Sequence, residues 1–260
     1  MLDSLYISAT GMHAEQAQID AVANNLVNMN TMAFKKSHVA FETLMPHQQT
    51  AISSMPATAG TVTSYLGAGV NGTNTLADFS AGPLKQTQNE FDFAIQGDGL
   101  FEVQLPDGSF AYTRMGAMHV NSDGHIVNAD GYPLSAMLQV PSDIEKVVIG
   151  ADGRVQYKLQ NTDQLTDAGY LELSHFSNAA ALKPIGNNLY VSSEQSGEVI
   201  YSRAGENGVG TIAQGYLEGS NVQMIEELTT MMTAQRAYEA NSRVLQASDE
   251  ILGIINNLRK

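Results

Sequence analysis

Residues 220–258 read SNVQMIEELTTMMTAQRAYEANSRVLQASDEILGIINNL, and in them Met224, Met231, Tyr238, Leu245 and Leu252 recur at intervals of seven. A second row, Ala237, Val244, Ile251 and Leu258, runs beside the first. Paired apolar rows at this spacing describe a helix with a wide apolar stripe. Ser220 with Gln223 supplies a capping-box start. From there only Gly253 weakens the helix before Leu258, so it runs on the order of 55 Å at about 1.5 Å per residue. A helix that long is not buried inside a small domain. The opposite end of the chain offers a partner, because Leu5, Met12, Ile19 and Leu26 repeat at the same interval, widened by Leu2, Ala9, Val22 and Ala23. The two ends, 1–30 with 220–260, are expected to pair as a discontinuous, coiled-coil-like helical domain; the helix pattern by itself favours an intramolecular coiled coil and nothing more, and the alternative is self-assembly through a second apolar row left over for neighbouring molecules.

Between the ends the period falls to two. Phe91, Phe93 and Ile95 alternate with Asp92 and Ala94, Phe101, Val103 and Leu105 with Glu102 and Gln104, and Val155, Tyr157 and Leu159 with Gln156 and Lys158. These are half-buried strands. Asp-Gly pairs at Asp98-Gly99, Asp107-Gly108, Asp123-Gly124, Asp130-Gly131 and Asp152-Gly153 suit type I′ hairpins, whose two central residues take positive φ. The fold class expected is α+β: long terminal helices with an antiparallel all-β domain, 91–219, inserted between them, and a connecting segment over 31–90. That segment contains an uncharged stretch, Thr43 to Ala77, rich in Ala, Ser, Thr and Gly.

Composition narrows the function classes. The chain has 260 residues, 43% of them apolar, enough for a real core. No run approaches the roughly 20 apolar residues of a membrane helix. The first basic residue is Lys35, so the start has no basic n-region of the kind a secretory signal carries, and no recognisable cleavable leader is expected. A net charge of −14 opposes binding to nucleic acid. Residues 1–36 hold three acids and two bases, and 220–260 five acids and four bases, so the acidity sits in the middle. Near-neutral ends suit dense packing against copies of the same chain. With no Cys, disulfides and thiolate chemistry are excluded.

The stretch Asn24-Asn25-Leu26-Val27-Asn28-Met29-Asn30-Thr31-Met32-Ala33-Phe34-Lys35 resembles the N-terminal signature of bacterial flagellar rod and hook proteins. Its candidate motif residues are Asn24, Asn25, Leu26, Asn28, Thr31, Phe34 and Lys35. The resemblance continues in order through DFAIQGDGLFEV (92–103), YTRMG (112–116) and GYLEGSNVQMIEELTTMMTAQRAYEANS (215–242). Within the family, the length, the compact middle and Gly67-Ala68-Gly69-Val70 are most similar to the distal-rod subunit; hook and proximal-rod subunits are the nearer alternatives. The chain departs at Ala33, where the family carries Gly, at Met115, where it carries Asp, and at Met118, where it carries an aromatic. Ala33 matters most, since Gly takes φ > 0 where the chain leaves the helix and Ala does so only at a cost.

The resemblance implies a structural subunit without catalysis or cofactor, which polymerises into the shaft of the flagellar basal body and transmits torque. It implies as partners the chain itself, adjoining rod and hook proteins, the peptidoglycan and outer-membrane rings that act as a bushing, and the flagellar type III export apparatus. The location implied spans the periplasm to the outer membrane. Gln235, Arg236, Tyr238 and Glu239, a dense polar cluster on the C-terminal helix, are read as a solvated face or as an intersubunit set that fixes register.

Other site readings fare worse. Gly67-Ala-Gly69-Val-Asn-Gly72 matches a dinucleotide fingerprint but sits in no βαβ unit. His119 and His125 lack a third ligand at metal-binding spacing. The Asp-Gly turns lack the alternating ligands and closing Glu of an EF-hand. Glu226-Glu227 and Asp249-Glu250 are adjacent on a helix and point apart, which suits neither pair to acid and base work. Outside the structural class, a secreted β-domain binding module or glycan-active enzyme would need a cleft flanked by two carboxylates.

Overall fold

The computed structural model describes residues 2–44, 47–50, 63–136, 138, 140, 141, 144–159 and 164–258. In the uncharged stretch, 45, 46 and 51–62 lie outside the described residues. The chain divides into two compact units, one of 1–24, 37–76 and 224–260, the other of 25–36 and 77–223. Among the described residues no helix is long and apolar enough to cross a membrane.

The first unit holds helix α1 (Leu2–Val27), strands β1 (Ser37–Thr43), β2 (His47–Thr50), β3 (Thr63–Leu66) and β4 (Val70–Ala77), and helix α2 (Met224–Leu258). β1 pairs with β4 and β2 with β3, so 37–76 adds paired strands to the helical unit instead of serving only as a connection. Three glycines show how closely this unit packs. A Cβ on Gly11 of α1 would lie 2.9 Å from Asn241 Nδ2 of α2, one on Gly72 3.0 Å from the Ala14 Cβ, and one on Gly69 would collide with Thr10 Oγ1. Gly69 also has φ +96°, a backbone conformation that favours glycine. Two of the glycines that mimic a nucleotide fingerprint, Gly69 and Gly72, therefore let the chain lie against α1.

α2 starts later than its capping box suggests. Ser220 Oγ accepts a hydrogen bond from Val222 N at 3.3 Å, which closes a short turn, and the helix begins only at Met224. On α2 the best-covered positions are Glu227 and Ala234, followed by half-buried Met231, Ala237, Asn241, Leu245, Ser248 and Leu252. That stripe takes Met231, Leu245 and Leu252 from the first apolar row and Ala237 from the second, and adds Glu227, Ala234, Asn241 and Ser248 between them.

The second unit carries β5 (Leu84–Gln86), β6 (Phe93–Gln96), β7 (Phe101–Gln104), β8 (Phe110–Thr113), β9 (Met118–Val120), β10 (Ile126–Asn128), β11 (Ile144–Ile149) and β12 (Arg154–Leu159). It continues with β13 (Leu165–Tyr170), β14 (Glu172–His175), β15 (Lys183–Gly186), β16 (Leu189–Val191), β17 (Ile200–Arg203), β18 (Thr211–Gln214) and β19 (Tyr216–Glu218). Among the described residues, the strand pairs of this unit are all antiparallel. Strands β15-β16-β8-β7 form one sheet and β11-β12-β13 another. β6 pairs with β18 and β5 with β19, so 77–90 belongs to this unit, because its strand finds its partner just before α2.

The core gathers Phe93, Ile95, Phe101, Val103, Leu134, Val147, Val155 and Leu173, each almost fully buried. A smaller cluster stacks Tyr112 on Phe176 edge to face at 4.7 Å and Phe79 on Tyr190 at 4.9 Å. β6 and β7 are buried on both faces, with Ala94 and Glu102 covered as well as their apolar neighbours, where simple alternation led us to expect half-burial.

The Asp-Gly turns are not type I′. In the pairs at 107–108, 123–124, 130–131 and 152–153 only the glycine has positive φ, between 80° and 85°. Gly108 N donates to Leu105 O, and Leu105 N to Ser109 O. The same paired pattern recurs at Asn121, Asn128 and Gly150. Each is a type I turn closed by a glycine bulge. Positive φ at both central residues occurs instead at Asn187 and Asn188, between β15 and β16.

Candidate functional site

α1 ends at Val27, and the chain turns sharply before Ser37. Thr31 Oγ1 donates to Asn28 Oδ1 at 3.2 Å, and Ala33 takes φ 57° with its side chain 1% exposed. The turn thus keeps the left-handed conformation that glycine would favour, with alanine in its place. Ala33 N donates to Glu218 O at 2.8 Å, Asn188 Nδ2 to Met32 O at 2.9 Å, and Lys36 N to Asn221 Oδ1 at 2.7 Å. Asn221 Nδ2 reaches on to Asp78 O at 2.8 Å. These contacts hold the turn in place against strain of about 1–2 kcal/mol.

Beneath the turn lies a buried charge cluster. Lys35 Nζ meets Glu218 Oε1 at 2.7 Å and Arg114 Nε meets Glu218 Oε2 at 3.2 Å, with the Lys35 and Glu218 side chains fully buried. The remaining donors find backbone oxygens: Lys35 Nζ reaches Ser80 O at 2.6 Å, and the Arg114 guanidinium reaches Gly99 O at 2.9 Å and Gly97 O at 2.8 Å. Gly82 N adds a bond to Glu218 Oε1 at 2.8 Å. Burial lowers the affinity of Lys35 for its proton, and Glu218 works against that fall. Burial likewise lowers Arg114, opposed by Glu218 and Asp98. Two cations around one carboxylate are tolerable out of water because Glu218 Oε1 accepts from Lys35 Nζ and Gly82 N, and backbone oxygens take up other donors of both cations, while Glu218 Oε2 accepts no hydrogen bond and meets Arg114 Nε as an ion pair alone. With no side chain of the cluster open to solvent, it binds the fold together and reaches no substrate.

The cluster joins one residue from each of three family-like segments: Lys35 from the N-terminal signature, Arg114 from YTRMG and Glu218 from GYLEG. Sequence reading singled out Lys35 alone. The available signal for the other two was a lone charge set among small and apolar neighbours, Thr-Arg-Met-Gly and Tyr-Leu-Glu-Gly.

The other motif residues separate by burial. Asn25 is 1% exposed, Leu26, Asn28 and Phe34 are half-buried, and Asn24 and Thr31 are exposed. Leu5, Met12 and Ile19 of the α1 row are also half-buried. On α2, Met231, Leu245 and Leu252 are half-buried, whereas Met224 and Tyr238 lie at 45% and 39% exposure. Gln235, Arg236 and Glu239 are exposed. α2 also presents Ile225, Met232, Val244, Ile251, Ile254, Ile255 and Leu258 to solvent, Ile225 at 81%.

Three segments match known families. Residues 5–35 match the family described as Flagella basal body rod protein, 94–157 the Flagellar hook protein FlgE/F/G D1 domain, and 213–258 the Flagellar basal body rod FlgEFG protein C-terminal. Among whole relatives, the flagellar basal-body rod protein FlgG of Buchnera aphidicola subsp. Schizaphis graminum is 39% identical over 99% of this chain and 100% of its own. FlgG of Borreliella burgdorferi is 38% identical over 100% of both chains. The rod protein FlgF of Mesorhizobium japonicum is 30% identical over 97% of each. With relatives aligned along its whole length, and with the three matched segments carrying Lys35, Arg114 and Glu218 or their immediate surroundings, the chain belongs to the flagellar basal-body rod and hook protein family.

Proposed function

We infer that this chain is a structural subunit of the bacterial flagellar basal body, assembling into the distal rod and transmitting torque through it. The exposed apolar surface of α2 is the observation that carries this reading, together with FlgG relatives covering the full length. The glycan-active alternative is not favoured, since those relatives are rod proteins from end to end.

In the finer reading, 1–30 and 220–260 form a coiled-coil-like assembly domain with the β domain, 91–219, inserted into it and turned outward. The stripe residues Leu5, Met12, Ile19, Leu26, Met224, Met231, Tyr238, Leu245 and Leu252 supply the packing, and Gln235, Arg236, Tyr238 and Glu239 fix subunit register. Adjoining rod and hook proteins, the bushing rings and the type III export apparatus are the partners that go with this role, and the basal body between periplasm and outer membrane is its place.

Electron microscopy of the purified chain at high concentration tests the reading. Tubes or fibres are expected. Ile225→Asp should abolish them while leaving the monomer within about 0.5 kcal/mol of the parent, as exposed substitutions usually do. Assembly of the variant as readily as the parent would refute α2 as the assembly surface.

A further inference from the structure

β14 sends Leu173 into the core at 0% exposure, which leaves Glu172 and Ser174 on the other face of the strand. There they join Glu102 of β7, Phe110 of β8, Tyr170 of β13 and Tyr201 of β17 around a cleft of about 420 Å³ within the β unit. Glu102 and Glu172 both line it, and the cation beside it, Arg203, stands opposite Glu172 across β14 and β17. Glu102 is 8% exposed and its carboxylate accepts a hydrogen bond from the Tyr201 hydroxyl at 2.7 Å. Among the described residues no Lys, Arg or His pairs with Glu102 or Glu172. A buried carboxylate with only neutral donors is short of a cation.

Two further observations point to what is missing. Ser174 is fully buried, yet its Oγ has no hydrogen-bond partner, so the cleft wall holds an unused polar atom. The aromatic walls remain open, Phe110 at 44% and Tyr201 at 47% exposure, and ring faces attract cations. Arg203 displays that attraction already, with its guanidinium carbon 4.4 Å from the centre of the Tyr170 ring. Burial first, then the hydrogen bond from its hydroxyl to Glu102, raises the pKa of Tyr201, which keeps it a donor to the carboxylate. A hard metal ion suits the cleft less well, because two carboxylates and one hydroxyl fall short of its usual oxygen shell, and no group of three or more potential ligands forms among the described residues.

We propose that this cleft binds an organic cation, an ammonium or guanidinium group on a short alkyl stem. Glu102 and Glu172 balance the charge, Phe110 and Tyr201 flank the stem, and Ser174 Oγ accepts one N–H. The same chemistry is carried by a Lys or Arg side chain of a partner polypeptide and by a free alkylamine. The site lies wholly in the β unit, so it stands or falls independently of rod assembly.

Titration of the full chain, labelled with 13C at the tyrosine ring, decides the matter. The probes are N-acetylarginine methylamide, n-butylammonium, the uncharged N-acetylcitrulline methylamide, and Ca²⁺. The Tyr201 signal, assigned through Tyr201→Phe, is expected to shift saturably with the two organic cations and not with the citrulline probe. Affinity should fall at least tenfold in Glu102→Gln and at least threefold in Glu172→Gln; the second residue is exposed and its replacement leaves the fold intact. Tighter binding of the arginine probe than of butylammonium assigns the cation to a partner polypeptide, and equal binding to a free amine; either supports the proposal. Equal binding of citrulline, affinity unchanged in Glu172→Gln, saturation by Ca²⁺ in place of the organic probes, or no shift at millimolar probe overturns it.

Discussion

Replacing Glu218 with Gln removes one negative charge from between two buried cations while hardly changing volume. The amide oxygen still accepts from Gly82 N, now 2.8 Å from Glu218 Oε1. The amide nitrogen, however, turns a donor toward the donors of Lys35 or Arg114, at positions now 2.7 and 3.2 Å from carboxylate oxygens. Breaking a fully buried pair by neutralising one partner costs about 3–5 kcal/mol, a large part of the roughly 5–15 kcal/mol that separates folded from unfolded domains. Lys35→Met should cost less. It leaves Glu218 paired with Arg114 and Gly82, relieves the desolvation of the ammonium, and strands mainly Ser80 O, at about 1–3 kcal/mol. The double variant should then lose much less than the two single losses added together, because each single change already disrupts the same contact. Because the chain has two units, unfolding need not be two-state, so urea-dependent hydrogen exchange at Ala94 and Ala213, opposite each other in β6 and β18, is the readout for the β unit. A Glu218→Gln protein within 1 kcal/mol of the parent, or a Lys35→Met protein as damaged as Glu218→Gln, would refute the view that this carboxylate neutralises a cationic core.

Ala33→Gly should be nearly neutral in the same assay: relief of about 1–2 kcal/mol of left-handed strain is offset by a lost buried methyl at about 0.8 kcal/mol and added unfolded-state freedom at about 0.5–1 kcal/mol. Ala33→Val, with a branched Cβ at φ 57°, should lose more than about 2 kcal/mol; equal losses for the two variants would refute the assigned strain. Burial pushes the Tyr190 phenol up to about 12 from an ordinary 10, so the folded state retains a proton that the unfolded chain loses. Its contribution is fully present below pH 10 and disappears between pH 10 and 12, up to about 2–3 kcal/mol. Tyr190→Phe should flatten that alkaline loss in urea titrations at stepped pH, whereas an unchanged pH profile would mean that Tyr190 ionises freely in the folded state.

Period carried much of the architecture. Heptad rows placed both helices because three and a half residues per repeat can be read locally, and alternation placed β6, β7 and β12 for the same reason. Burial on the helices was less legible: the covered positions of α2 include Glu227, Asn241 and Ser248, which no hydrophobic pattern selects. Turn chemistry was legible in kind but not in type, since Asp-Gly occurs in both hairpin classes and the bonds donated by Leu105 N and Gly108 N decide between them. The pairing of β5 with β19 and the meeting of Lys35, Arg114 and Glu218 were invisible, being contacts between distant segments with no local period. The same holds for the cleft lined by Glu102, Glu172 and Tyr201, whose residues come from separate strands.

Lys35 and Glu218 stand 183 positions apart in sequence, and this spacing sets an order of events. Joining ends so far apart pays a loop-closure entropy that grows with the logarithm of the length, and folds governed by remote pairings form slowly. Until the segment around Glu218 is available, Lys35 and Arg114 have no carboxylate to share and β5 and β6 have no partners, so the nascent β unit cannot close. The β unit therefore closes last at the segment around Glu218, whereas local hairpins such as β7 with β8 and β11 with β12 have both partners at hand from the start.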